Sequence, residues 1–315
     1  YKLMGLAPYG NPNSEETRKF YDIIKKELVE IKEDGSIRLN QKYFTYSTGL
    51  RMVSDSKWLK LFGIPKRKEE SELEQVHCNL GLAIQQITEE VVILMAKEAK
   101  RLTGSDNLCL SGGVALNCVS NGRLHEEGIF KNIYIQPAAG DAGGALGAAL
   151  ACYHIYFGKK RVIDFDKLDA MNGAYLGPEY ADNEVEKMAL KFNAKHTKYS
   201  DFSELAERVS SCIDEGNTIG WFQGRMEFGP RALGNRSIIG DARNPEMQKK
   251  LNLKIKYRES FRPFAPSVLA EDCEKFFNYN GVSQYMLNVQ SIAENLKFKL
   301  PDNYLEPVSY THLRA

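Results

Sequence analysis

The sequence predicts an α/β fold, in which short apolar strands alternate with helices. The main observation is a strand, a glycine-rich turn and a helix that follow one another twice, over residues 107–125 and 131–156, with the second helix expected over residues 145–156. A second is a long amphipathic pattern over residues 74–102, which predicts a helix facing the core. Because the carboxyl ends of parallel strands meet at one sheet edge, we expect both glycine turns to face one ligand site.

The elements before this unit are predicted from their periodicity. Residues 15–32 place apolar side chains at helical spacing and predict one amphipathic helix. The Asp34–Gly35 pair predicts a turn before a hairpin strand over residues 36–39. Residues 54–71 are basic and then acidic, so we expect a solvated loop with a short helix. Gly104 is where the C-cap of the long helix belongs.

The elements after this unit are separated from it by residues 158–172, the best candidate for a linker. Helices are predicted over 183–192, 203–215 and 245–252, a strand over 218–222, and an extended segment over 262–269.

The two glycine turns hold the first candidate binding residues. Gly112 and Gly113 open a helix, where backbone N–H groups and the helix dipole favour an anion or nucleotide, although a turn without a ligand is an equal alternative. Asn117 faces the same mouth or caps the helix. Asp141, flanked by Gly143 and Gly144, is expected to bind a metal, a ribose or a cation carried by a triphosphate, or else to cap a helix beginning at Ala142.

An arginine- and glycine-rich segment over residues 221–243 is the strongest chemical signal. It holds four glycines, two acids and four arginines, which are Arg225, Arg231, Arg236 and Arg243. Arginine binds phosphate oxygens in bidentate fashion, and glycine lets backbone N–H groups approach an anion. We expect a phosphorylated ligand here, with a solvated surface loop as the alternative.

A second cationic cluster lies over residues 254–263. If it is extended, its alternation places Lys254, Lys256 and Arg258 on one face, which could close over the same anion. A charged strand or loop without a ligand is the alternative.

Composition limits the other functions. Lys and Arg total 42 against 41 Asp and Glu, so bulk nucleic-acid binding is not expected. No apolar run is long enough for a bilayer, and no HxxxH or HExxH spacing occurs. The six cysteines form no CxxC pair. We expect buried free thiols, among them Cys109, Cys118 and Cys152, and a cytoplasmic location.

Two long motifs resemble the O-carbamoyltransferases of nodulation-factor and antibiotic biosynthesis, the NodU/CmcH type. They are LCLSGGVALNCVSNGRL with IYIQPAAGDAGGALGAAL, over residues 107–150, and IGWFQGRMEFGPRALGNRSIIGDAR, with the segment after it, over residues 219–269. MGLAPYG over residues 4–10 and AYLGPEY over 174–180 fit the same pattern, so the resemblance runs to about residue 290.

The resemblance implies two incomplete domains. The C-terminal half of an actin/Hsp70-like (ASKHA) domain is expected over residues 1–158, a linker over 159–172, and a truncated YrdC-like α/β domain over 173–315. The YrdC-like domain of such enzymes forms carbamoyladenylate and pyrophosphate from carbamoyl phosphate and ATP. The actin-like domain then passes the carbamoyl group to a hydroxyl of a small-molecule acceptor, a natural product or a sugar, with help from a bound metal.

The resemblance also carries roles to individual residues. It implies ATP with Mg²⁺ as cofactor, and Fe(II) or another divalent metal at Asp141. The nucleotide or substrate is expected at Gly112, Gly113, Asn117, Gly143, Gly144, Lys256, Arg258 and Arg262. Catalysis is expected from Arg225, Arg231, Arg236 and Ser237, whose separate roles we infer from charge.

The chain also departs from the family pattern. The phosphate loop and HxxxH pair of the family's actin-like half are not in it, and near the C-terminus residues 310–314 only partly match a THxDGxxR-like segment. We therefore expect an interior fragment with part of each active site, inactive by itself. A tRNA threonylcarbamoyl enzyme and a non-catalytic nucleotide-binding module are the alternative functions. An oligomer is possible, and no membrane partner is expected.

Overall fold

Helices and short strands are mixed along the chain, which confirms the α/β class. The computed structural model describes residues 2–68, 71–164, 166–167, 169–279 and 283–297. The α-helices are Lys2–Leu6 (α1), Glu15–Ile23 (α2), Asp55–Phe62 (α3), Gln75–Thr103 (α4), Cys118–Glu126 (α5), Asp141–Ala151 (α6), Asp182–Lys191 (α7), Phe202–Asp214 (α8), Met247–Lys250 (α9) and Cys273–Phe276 (α10). Wider π-helical turns extend three of them over Ile24–Leu28, Cys152–Tyr156 and Leu251–Ile255.

Six strands form three separate two-stranded sheets in the described part of the chain. They are Val29–Ile31 (β1), Ile37–Leu39 (β2), Asn107–Leu110 (β3), Asn132–Ile135 (β4), Ile219–Phe222 (β5) and Arg236–Ile239 (β6). The β1–β2 and β5–β6 pairs are antiparallel, whereas β3 and β4 are parallel, with Leu110 beside Ile135 at their carboxyl ends. The predicted strands and the repeated α/β unit are thus confirmed.

Helix α4 carries one side of the core. Its 29 residues would extend for about 44 Å at 1.5 Å per residue. Cys78 packs with Leu6 and Phe261, and further along, Ala83 and Ile87 join the cluster around Phe20. The next turns join a third cluster, made of Ile93, Ala96, Leu124 and Phe130. The helix ends as predicted at Gly104, whose φ of +62° suits glycine.

The single helix predicted over residues 15–32 is wrong in its last four residues. The chain leaves the helix after Leu28, and Val29–Ile31 pairs with Ile37–Leu39. Two of the residues in β1 are β-branched and suit a strand, and pairing satisfies their backbone groups. In the predicted solvated loop over residues 54–71, α3 also has a core-facing side, because Phe62 is buried against Phe20.

The cysteines are free thiols as predicted, but two of the three expected to be buried are exposed. Cys109 lies on the open face of the β3–β4 pair, and Cys152 follows α6, a helix without a buried residue. The apolar and glycine-rich segments that hold these cysteines predict burial. That prediction fails here because one face of the sheet and most of α6 have no packing partner among the described residues.

A further cluster brings distant segments of the chain together beside the β3–β4 pair. Its buried members are Ala115, Ile135, Ala139, Met171, Ala174, Tyr285 and Leu287. The Tyr285 hydroxyl donates to the Asp169 carboxylate at 2.9 Å, and Asn121 donates to the Leu287 carbonyl oxygen at 2.9 Å. The actin/Hsp70-like and YrdC-like architecture and the domain boundaries stay predictions. Residues 310–314 lie outside the described residues.

Candidate functional site

The turns that follow β3 and β4 lie side by side. The backbone N–H of Gly112 donates to the Ala139 carbonyl oxygen at 2.9 Å, and that of Gln136 donates to Leu110 at 3.1 Å. Because the two strands are parallel, both turns leave the sheet at the same edge. The structure therefore brings the two predicted glycine turns together.

Gly112 and Gly113 leave open space above the backbone. Gly112 has a φ of +94°, which strains most other residues, and a Cβ at either glycine would meet nothing within 4 Å. A turn that both needs glycine and stays uncovered lets a ligand approach the backbone closely, although the Gly112 N–H itself is bonded to Ala139.

Asn117 has the structural role that sequence reasoning left open. Its side-chain oxygen accepts from the Ser120 backbone N–H at 3.1 Å, which caps α5. Its amide nitrogen donates to Gln85 in α4 at 3.0 Å. The side chain is therefore engaged by α4 and α5 within the protein.

The second turn is shorter than predicted, because α6 begins at Asp141 and not at Ala145. Gly143 and Gly144 consequently lie in the first helical turn. A Cβ on Gly143 would lie 2.2 Å from the Ala138 carbonyl oxygen, whereas one on Gly144 would meet nothing within 4 Å. Gly143 is needed for packing, and Gly144 leaves the helix N-terminus open.

Asp141 is exposed, and its carboxylate neither caps α6 nor has a partner among the described residues. A divalent metal needs several donors at one place. In the described ranges no three His, Cys, Asp or Glu side chains come together in a way that could hold one. One carboxylate does not fit a complete metal centre, so we assign no chemical step to a metal here.

The arginine-rich segment docks on both glycine turns. Arg231 donates from its guanidinium to the Leu116 carbonyl oxygen at 3.2 Å, in the turn after Gly113. Gly229, at a φ of +125°, approaches the second turn so closely that a Cβ would lie 3.3 Å from the Pro137 carbonyl oxygen. The Nε of Arg231 is buried without a hydrogen-bond partner among the described residues, so the hydrogen bonds within the protein do not satisfy this guanidinium completely.

Glu227, which sequence reasoning did not single out, organises this loop. Its fully buried side chain accepts from the backbone N–H groups of Leu233, at 2.6 Å, and Asn235, at 2.9 Å. Its other carboxylate oxygen pairs with Arg236 Nε at 2.7 Å. An acid within an arginine- and glycine-rich loop was the available signal, because a buried carboxylate needs several donors.

The pKa of Glu227 lies well below the ordinary value of a glutamate. Burial raises this pKa, but the Arg236 and backbone hydrogen bonds outweigh it and hold the value at about 2, against 4.5 in the unfolded chain. Because the pKa is lower in the folded state, the ionised Glu227 carboxylate stabilises the protein above pH 4.5. This stabilisation is lost as the pH falls towards 2. Its contribution at neutral pH is about 3 kcal/mol.

We expect Glu227→Gln to unfold more easily than the wild type at pH 7, with a difference that shrinks between pH 4.5 and 2. Urea unfolding across this range measures it. Glu179→Gln is the control, because Glu179 is exposed at 3.8 Å from Arg225. A difference that stayed constant with pH would contradict the linkage.

The other predicted catalytic residues have partners within the protein. Arg236 is held by Glu227, and Arg225 donates to the Gly177 carbonyl oxygen at 2.9 Å. Arg243, the fourth arginine of this segment, for which no catalytic role is predicted, is exposed between Asp214 and Asp241. The Ser237 hydroxyl accepts from the Gly234 backbone N–H at 3.0 Å, so it too stabilises the loop.

The second cationic cluster is not a strand with alternating side chains. Leu251–Ile255 is a helical turn, because Leu251 and Asn252 are buried there, and Tyr257 follows at a φ of +46°. The predicted common face of Lys254, Lys256 and Arg258 is therefore wrong.

Two cations of this cluster still converge. Lys256 Nζ and the Arg258 guanidinium lie 5.9 Å and 4.9 Å from the centre of the Phe264 ring. Burial lowers the pKa of both groups, and Arg258 lowers that of Lys256 further. Arg262 pairs with Glu259 at 2.8 Å. Two neighbouring, partly desolvated cations favour an anionic ligand.

Helix α1 contacts the surroundings of both cationic groups. Lys2 pairs with Glu259 at 2.9 Å, beside the second cluster. Met4 sulfur lies 3.8 Å from the thiol of Cys118, which feels the charge of Arg231. Helix α1 therefore contacts one neighbour of the second cationic cluster and one neighbour of Arg231.

Comparison with known families and proteins agrees with this arrangement. Residues 1–150 match the family model described as the carbamoyltransferase N-terminus, and residues 210–305 match the carbamoyltransferase C-terminus. No described helix has the length and apolarity needed to cross a membrane.

Three relatives illustrate the similarity. An uncharacterized protein of Synechocystis is 53% identical over 302 residues, which are 95% of this chain and 48% of the relative. Nodulation protein NolO of Bradyrhizobium diazoefficiens is 36% identical over 88% of this chain and 46% of its own length. The 3'-hydroxymethylcephem-O-carbamoyltransferase of Streptomyces clavuligerus is 30% identical over 70% of this chain and 39% of its own.

The chain thus spans less than half the length of these relatives. Both family models match, and they contain the two glycine turns and the arginine loop that the structure brings into contact. The chain belongs to the O-carbamoyltransferase family of enzymes.

Proposed function

We propose that this protein takes part in ATP-dependent transfer of a carbamoyl group from carbamoyl phosphate to a hydroxyl of a small molecule. In the first step water hydrolyses carbamoyl phosphate, which gives carbamate and inorganic phosphate. The carbamate oxygen then displaces pyrophosphate from the α-phosphorus of ATP, and the acceptor hydroxyl finally displaces AMP from carbamoyladenylate.

The observation that carries this proposal is the hydrogen bond from Arg231 to Leu116. It joins a partly unpaired, buried guanidinium to the open backbone turn at Gly112 and Gly113. Such a site combines a cation with an uncovered backbone turn, and a cation placed there would stabilise charge developing on phosphoryl oxygens.

The remaining cations divide into two groups. Arg225, Arg236 and Arg243 have acidic or carbonyl partners and build the loop. Lys256 and Arg258 are the further candidates for a phosphate group, because they lie together over Phe264 and are partly desolvated. We assign Asp141, which is exposed at the start of α6, to a Mg²⁺ carried by the triphosphate.

The acceptor is proposed by class alone. One relative is named for carbamoylation of a hydroxymethylcephem, and others are named as nodulation proteins. We propose a hydroxyl of a natural product or of a sugar, in the cytoplasm.

Isotope exchange tests this function. The product of the complete reading frame is incubated with ATP and labelled pyrophosphate, with and without carbamoyl phosphate. We expect label to enter ATP only when carbamoyl phosphate is present, and acetyl phosphate to be inactive as a control. Exchange that is absent, or that is equal without carbamoyl phosphate, would overturn the proposal.

A further inference from the structure

Glu227 closes the arginine loop into a ring. Its Oε1 accepts from the backbone N–H groups of Leu233, Asn235 and, at 3.3 Å, Arg236. Its Oε2 accepts from Arg236 Nε, and its backbone oxygen accepts from the same guanidinium at 3.0 Å. Residues 227 and 236 are thus clamped together, and everything between them forms a closed loop.

Arg231 lies near the middle of this ring. The loop meets the glycine turns at two points inside the clamp, Gly229 against Pro137 and Arg231 on the Leu116 carbonyl oxygen. The hydrogen bond from Arg231 to Leu116 is 3.2 Å long and leaves Nε without a partner. One such bond does not fix a long side chain by itself, so the ring must hold its backbone in place.

We propose that Glu227 is a positioning residue, which holds the arginine loop in the conformation that presents Arg231 to the ligand at the Gly112–Gly113 turn. This inference rests on the proposed function, since the ligand is carbamoyl phosphate or the phosphates of ATP. Glu227 itself is fully buried and does not touch the ligand.

The positioning role predicts a specific kinetic change. Without the Glu227 carboxylate, the loop spends less time in the conformation that binds the ligand. The apparent affinity for carbamoyl phosphate then falls in proportion to the population of that conformation. A saturating ligand restores the competent loop, so the maximal rate recovers. A role confined to folding would instead reduce the amount of active protein, lowering kcat and leaving KM unchanged.

The variant for this test is Glu227→Gln. Glutamine keeps the size and one oxygen that can accept from the backbone, but its amide nitrogen would face the Arg236 Nε–H, donor against donor. Glu179→Gln is the matched control, because it removes an exposed carboxylate near Arg225 without changing the ring. The initial rate of label exchange from pyrophosphate into ATP is measured on the complete gene product over a range of carbamoyl phosphate concentrations.

We expect Glu227→Gln to raise KM for carbamoyl phosphate by about 10-fold or more and to keep kcat within about 3-fold. The control should match the wild type. Unchanged KM, with or without a lower kcat, would overturn the inference. An inactive wild type is a failure of the proposed function. In that case hydrogen–deuterium exchange of the ligand-free protein tests the loop. The backbone amides of residues 233–236 should exchange faster in Glu227→Gln than in the wild type. Equal exchange rates would overturn the inference that Glu227 holds the loop.

Discussion

Replacing Arg231 by alanine is expected to lower the carbamoyl-phosphate-dependent exchange rate by about 10²- to 10³-fold. Arg231 is the cation of the arginine loop that bonds directly to the turn after Gly113, and its Nε is buried without a partner. Removing it takes away charge aimed at the ligand, while the Glu227–Arg236 clamp stays in place. The exchange assay measures the loss, and thermal unfolding checks the fold.

Arg243→Ala is the matched control for this loss. Arg243 is in the same segment, but it is exposed and paired with Asp214 and Asp241. Exposed pairs of this kind contribute about 0–1 kcal/mol, so the variant should keep its exchange rate. Equal losses in the two variants would show that general positive charge, and not the position of Arg231, drives the reaction.

Replacing Gly143 by alanine is expected to destabilise the protein by about 3 kcal/mol, whereas the same change at Gly144 should leave stability equal or higher. A Cβ at position 143 would lie 2.2 Å from the Ala138 carbonyl oxygen, a backbone atom that cannot move away without distorting the turn. Position 144 has open space and is helical, so alanine gains helix propensity there.

Denaturant unfolding of the two variants measures this difference. The pair also tests the ligand assignment, because Gly144→Ala adds a methyl group to the open N-terminus of α6 without a clash. If ATP approaches this turn, Gly144→Ala should fold normally and bind ATP more weakly in calorimetry. A Gly143→Ala variant as stable as the wild type would contradict the close contact.

Much of the fold could be predicted from the sequence, where local signals act alone. The helical period and Gly104 predict α4, and the apolar runs at 107–111 and 131–136 predict the parallel pair. The start of α6 was misplaced, because Gly143 and Gly144 look like a turn by propensity. The helix nevertheless includes both, and at position 143 only glycine fits beside Ala138.

The candidate site was predicted in its parts but not in its connections. The sequence identifies the glycine turns and the arginines, but it predicts a catalytic role for Arg225, Arg231 and Arg236 from charge alone and does not separate their roles. Whether an arginine is paired within the protein depends on contacts that its own sequence neighbours do not reveal. One is the hydrogen bond between Arg231 and Leu116, which are far apart in the chain, and another is the hydrogen bond by which the Glu227 carboxylate closes the loop at Leu233. The alternation expected at Lys254 and Lys256 failed because buried Asn252 holds a helical turn there.

The central claim is that the arginine loop and the Gly112–Gly113 turn form one ligand site. Deuterium exchange of the complete gene product, with and without ATP and carbamoyl phosphate, tests it most directly. We predict that the ligands protect the amides of 112–117 and of 229–236 together, and that Arg231→Ala removes protection from both. Protection confined to one of the two segments, or to neither, would contradict a shared site.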